Sequence, residues 1–175
     1  MLDKEKKNTA HMITLVLLAL YLTLIESIIP KPFPWMKIGL ANLATLIAFD
    51  KFGIKMGIEV FYLRVFTASF ILGTFLSPGF IISITSGTFS LISMVILFKY
   101  KKYFSIIAIS SIAGIIHNIG QLISSYFIYF RDIEILYKYV LYFIIIFLFM
   151  GFISGIITGF IAYKVLYKKN RRFLH

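Results

Sequence analysis

Six apolar runs, each bounded by charges or by proline and glycine, fix the solvent in which this chain folds. They cover residues 11–29, 38–49, 54–75, 79–98, 103–130 and 139–165. A hydrocarbon core about 30 Å thick takes about 20 helical residues, so five of the runs are long enough to cross a bilayer as helices. The second run reaches only about 18 Å if helical; its charged flanks argue for keeping it as a span. The sequence therefore predicts an all-α integral membrane protein, a bundle of six transmembrane helices forming a single membrane domain over residues 1–175. Composition agrees: 60% of residues are hydrophobic and 14% charged, against about 45–50% and about 25% in soluble domains. Nothing is left over for a soluble catalytic domain.

The net charge of +11 would suggest nucleic acid in a soluble protein. Here the basic residues flank apolar spans, where they set topology and meet anionic headgroups, so the partner they imply is the lipid bilayer and not nucleic acid. One set of alternate loops holds thirteen Lys and Arg, from Lys4, Lys6 and Lys7 through Lys51, Lys55 and Lys99 to Arg172; the other holds Lys31, Lys37, Arg131 and Lys138. This bias predicts a multi-pass protein of the cytoplasmic membrane with both termini inside. The first run lacks a small-x-small cleavage site and contains Glu26, which favours a retained helix over a signal peptide. The chain has no cysteine, which excludes disulfides, thiolate nucleophiles and thiolate metal sites.

Ionisable groups inside spans are costly and mark either internal pairs or functional cavities. Glu26, Glu59, Arg64 and His117 fall inside the runs, with Asn42, Asn118 and Gln121 beside them. At 1.5 Å per residue, Glu26 and His117 lie about 21–22 Å from the cytoplasmic ends of their helices and Arg64 about 15 Å, whereas Glu59 lies only about 8 Å in. Glu59 reads as a headgroup-level carboxylate close to Lys51 or Lys55. For Arg64 the structural reading is a buried salt bridge, with Glu26 the better partner because Glu59 sits about 140° away around the same helix. In the fifth run Gly114, His117, Asn118, Gln121 and Ser125 recur at spacings of three and four and so share a face. That face either seams two helices or lines a ligand site; three amide or imidazole groups exceed what packing requires and favour the second.

Two further features bear on the site. Pro30, Pro32 and Pro34 alternate with Lys31, Phe33 and Trp35 ahead of Lys37, a stiff, non-helical strap that either lies in the interface or closes over a cavity. Small residues (Gly151, Ser154, Gly155 and Gly159 in the last run, Ser83, Ser86, Gly87, Ser90 and Ser93 in the fourth) predict close helix packing. Lys37, Arg64 and His117 supply positive charge or donors for an anionic group, while Asn42, Asn118 and Gln121 suit amide or carbonyl recognition. Together with Glu26 these seven are the candidate substrate-binding residues. No phosphate-binding G-x-x-x-x-G-K-[ST] loop, no Asp cluster for a Mg²⁺-diphosphate and no HExxH occur, so neither ATP hydrolysis nor prenyl elongation is expected of this chain, and no cofactor or metal.

In order and spacing, Glu26-Ser27, Pro30-x-Pro32-x-Pro34, Lys37-x-Gly39-Leu40-Ala41-Asn42, Leu63-Arg64, Ser77-Pro78 and His117-Asn118-x-Gly120-Gln121 resemble the Gx transporter family, often labelled heptaprenyl diphosphate synthase component I. Trp35-Met36 stands where relatives tend to carry a Pro-Gly-type turn. That family in turn resembles the substrate-binding S components of energy-coupling factor transporters. The resemblance implies a six-helix subunit that holds a vitamin-, flavin- or quinone-precursor-like molecule near the outer face, served by a separate transmembrane scaffold and ATPase subunits. The Ala-x-x-x-Ala patch by which S components often dock the scaffold is replaced here by Ala10-x-x-x-Thr14 and Ala19-x-x-x-Thr23. The synthase label implies a different role, a non-catalytic membrane subunit of prenyl diphosphate or quinone synthesis; a membrane anchor for a flavin-linked redox assembly is a third.

Overall fold

The computed structural model describes residues 2–30, 38–130 and 137–167. The described residues are all-helical: α1 (Leu2–Ile28), α2 (Asn42–Phe52), α3 (Ile54–Ile71), α4 (Pro78–Lys99), α5 (Ile106–Ser125) and α6 (Tyr137–Tyr167). A turn of π-helix, Tyr126–Phe130, continues α5. Four helical segments are long and apolar enough to cross a membrane, those of α1, α4, α5 with its π-turn, and α6. The other two are not: α2 has 11 residues, and α3 has 18 that include Lys55, Glu59 and Arg64.

Several boundaries differ from the apolar runs, each for a local reason. The second helix starts at Asn42 rather than at residue 38, because Gly39 adopts φ +89° and the backbone of Ile38 and Gly39 bonds elsewhere. The third stops at Ile71, where Gly73 and then Leu76 take positive φ. Ser77 caps α4 by accepting from the Phe80 N–H at 3.2 Å with Pro78 at the first helical position, and Ser105 caps α5 through the Ala108 N–H at 3.1 Å. Both follow the usual preference for a hydroxyl at the N-cap and proline just inside. Gly53 alone separates α2 from α3, at φ +93°.

The helices form a closed circuit in which α1 packs on α2 and α3, α3 meets α4, α4 lies on α5, α5 on α6, and α6 returns to α2. Residues Asn42 to Phe49 of α2 are all buried, so the short helix is the centre of the apolar core. Its Phe49 ring stacks on Phe98 at 5.0 Å and occupies the space that a Cβ on Gly57 would need. The outward faces of α1, α4 and α6 expose Leu17, Tyr21, Ile92, Ile96, Leu141, Ile145 and Phe149, as lipid-facing surfaces do.

Glycines close the α5–α6 crossing. A Cβ on Gly114 would stand 2.4 Å from the Gly151 carbonyl oxygen, and one on Gly155 2.6 Å from the Ser110 oxygen and the Ser111 Cα. The glycines of the last helix are thus spent on α5, and part of the α4 pattern likewise: Ser90 Oγ donates to the Ala113 carbonyl at 3.0 Å, and Gly120 rests on the Ser86 backbone.

At one end of the bundle Asp50 gathers three elements. It forms an ion pair with Lys101 and accepts from the Tyr167 hydroxyl at 3.2 Å, joining the end of α2, the α4–α5 loop and the end of α6. Lys51, Lys55, Lys99 and Lys164 lie on helix ends at this same end. Glu59 meets Lys55 at 4.0 Å across one helical turn, as its shallow depth predicts. The hydrogen bond to Asp50, then the Asp50 charge and Tyr167, raise the Lys101 amine above the ordinary 10.5 against a smaller desolvation. A raised folded-state value means that this contribution to stability is complete below the unfolded lysine pKa and is lost as pH rises through the folded one. Melting curves above pH 10 should therefore fall more steeply for the wild type than for Lys101→Met; equal slopes would refute the linkage.

Candidate functional site

The cavity lies at the opposite end, where α1 ends, α2 begins, α3 ends and α4 begins. It measures about 70 Å³. Thr23, Glu26 and Ser27 come from α1, Gly39 and Asn42 from the entry to α2, Arg64, Val65, Ala68 and Ser69 from α3, Ser83 from α4 and His117 from α5. Thr23 and Glu26, and Arg64 and Ala68, fall at helical spacings of three and four, so each helix presents one stripe to the space.

Glu26 is 5% exposed, and its Oε1 accepts from the backbone N–H groups of Ile38 and, at 3.0 Å, Gly39. The Ile38 carbonyl accepts in turn from Ser154 Oγ of α6 at 2.6 Å. The entry to α2 is thereby pinned from two sides, which is why residues apolar enough for a helix are not helical there. Two charge-assisted backbone bonds satisfy a carboxylate that would otherwise be expensive to bury.

Arg64 is 8% exposed. One nitrogen, Nη2, donates to Asn42 Oδ1 at 3.4 Å, and the guanidinium sits 5.2 Å from the centre of the Phe61 ring. Phe61 is itself held by a vacancy of side chain, since a Cβ on Gly87 would fall 2.5 Å from its ring. The direct salt bridge of the structural reading is absent: Glu26 and Arg64 share the cavity, but each is bonded to other partners. Arg64 Nε is buried without a hydrogen-bond partner.

The α5 stripe divides. His117 lines the cavity and also a second space of about 10 Å³ bounded by Asn42, Ser110, Ser154 and Thr158, the room of about one water molecule. Asn118 instead turns to α6, donating to the Phe147 carbonyl at 2.6 Å and accepting from Gln121 Nε2 at 3.1 Å. Gly151 makes that reach possible, because a Cβ there would stand 2.7 Å from the Asn118 amide nitrogen. Of the seven candidate residues the structure brings Glu26, Asn42, Arg64 and His117 around one cavity and puts Asn118 and Gln121 in the α5–α6 seam; Lys37, with strap residues 31–37, lies outside the described residues. Sequence reasoning passed over Thr23, Ser69 and Phe61. Thr23 was detectable as the residue one turn before Glu26; Ser69 and Phe61 carry no signal apart from their contacts. Among the described residues no three His, Asp or Glu side chains converge as metal ligands would.

These features define a small helical membrane protein with a polar, charged cavity at one end of its bundle. No curated protein and no solved structure matches the chain. A family model, heptaprenyl diphosphate synthase component I, matches residues 15–165, and the chain belongs to that family.

Proposed function

We propose that this protein is the membrane-embedded binding subunit of a small-molecule uptake system, comparable to the S components of energy-coupling factor transporters, and that α2 and α3 complete six passes with both termini in the cytoplasm. The observation that carries the reading is the cavity: buried charges of both signs, kept from neutralising each other, face a space at the bundle end away from the lysines. Buried charge that packing does not require is the mark of a substrate site within a membrane. The chain contains no phosphate-binding loop, so a scaffold and ATPases would supply the energy.

Native mass spectrometry of the protein released from its own membranes should show a bound small molecule. A protein devoid of ligand that instead copurifies with a soluble prenyl diphosphate synthase would replace this reading with the accessory subunit that the family's name describes. Topology has its own check, clean because the chain lacks cysteine. In intact cells, Lys6→Cys and Lys51→Cys should resist an impermeant thiol reagent while Thr74→Cys reacts; labelling of Lys6→Cys would reverse the orientation.

A further inference from the structure

Resting on the binding role just proposed, we infer that the ligand is a carboxylate-bearing molecule whose carboxylate docks on the Nε edge of Arg64 in preference to a phosphate ester. Two contacts of the guanidinium are already made. The Phe61 ring lies 5.2 Å away, and Nη2 gives one of its two hydrogens to Asn42. The Nε–H is buried and unpartnered, and belongs to a side chain that lines the cavity. The Nε edge of an arginine is one of the two sides that receive a carboxylate or phosphate through parallel N–H···O bonds.

Charge chooses between those two anions. Among the described residues lining the cavity, Arg64 is the one Lys or Arg, and Glu26 stands in the same space with a negative charge that its two backbone donors stabilise but do not cancel. These two charges sum to zero, so a bound monoanion leaves one net negative charge in the cavity. A phosphate monoester, near two negative charges at neutral pH, leaves about two, at a greater cost in desolvation and in repulsion from Glu26. Size points the same way: about 70 Å³ admits a head group, with the hydroxyls of Thr23, Ser69 and Ser83 on its walls.

The test uses the full chain in lipid nanodiscs, melted by circular dichroism with sodium propionate, propionamide or methyl phosphate at matched ionic strength. Propionate should raise the midpoint by a few degrees, as a ligand specific to the folded state does; propionamide should leave it unchanged, and methyl phosphate should shift it by less than half as much. Arg64→Met should abolish the propionate shift. Ser83→Leu, which fills the cavity without touching a charge, should do the same and stands in if the arginine variant does not fold. Glu26→Gln should enlarge the methyl phosphate shift. Equal responses to propionate and propionamide, a larger response to methyl phosphate, a propionate shift that survives Ser83→Leu, or no shift with any probe would each overturn the inference. A native ligand found by mass spectrometry to lack a carboxylate would overturn it while leaving the binding role intact; absence of any native ligand removes the binding role.

Discussion

Replacing Gly155 by leucine is expected to abolish the folded protein. The first atom of any side chain there would lie 2.6 Å from the Ser110 carbonyl oxygen and 2.6 Å from the Ser111 Cα. Neither belongs to a side chain that could swing aside, so α5 and α6 must separate. Separation breaks the Asn118 bond to the Phe147 carbonyl and opens the adjacent Gly114–Gly151 contact. Overpacking alone costs about 1–3 kcal/mol, and the lost seam should bring the total to roughly 4 kcal/mol or more. Gly53→Ala is the control. Nothing lies within 4 Å of a Cβ at that position, and only its φ of +93° resists substitution, for a strain of about 1–2 kcal/mol. Monodispersity in size-exclusion chromatography and melting temperature should rank wild type above Gly53→Ala, with Gly155→Leu far below both. A Gly155→Leu variant melting within a few degrees of wild type would mean that the two helices do not cross at these residues.

Stability and binding should come apart at Glu26 and Arg64. Glu26→Leu removes the acceptor for two buried N–H groups, a loss of about 2–6 kcal/mol. Glu26→Gln keeps an oxygen in the same place and should cost only about 1–2 kcal/mol. Arg64→Met gives up one long hydrogen bond and the contact with Phe61; its larger effect should be on ligand, roughly ten- to hundredfold in affinity. Because the two side chains are bonded to different partners, the Glu26→Gln/Arg64→Met double variant should lose about the sum of the single losses, within about 1 kcal/mol. A direct salt bridge predicts rescue in the double variant instead. Recovery of wild-type stability in that variant, with ligand binding unimpaired, would reduce the pair to structural glue.

The same two residues show how far the sequence could be read. An arginine and a glutamate inside apolar runs are visible as buried from composition alone, since lipid leaves them nowhere else to go. Their partners are not. Glu26 bonds to Ile38 and Gly39 because the chain returns there by a path that no local pattern encodes, and that return also delays the start of α2 despite the helix-compatible Ile38-Gly39-Leu40-Ala41. The polar face of α5 was legible as a face from its spacing. Which neighbour each position meets depends on where α6 and α3 settle, and a difference of one residue sends His117 to the cavity and Asn118 to the seam. The glycines and serines of α4 and α6 announced close packing correctly, because lack of a side chain has one main use between helices in lipid.

The short central helix has an electrical consequence. Eleven residues make a column of insulation about 16 Å long where a full span would supply about 30 Å. Above it lies the cavity with Glu26, Asn42 and Arg64; with α2 as one of the passes proposed above, a larger share of a membrane voltage would fall across this helix than across an equal length of a full span. On the uptake role proposed above, a charged solute at Arg64 would sit near the rim of that drop, and its affinity would depend little on the membrane voltage. Carrying that charge past α2 engages nearly the whole potential, about 2.3 kcal/mol per charge at 100 mV. On that same proposed role, loading and translocation would be electrically distinct steps.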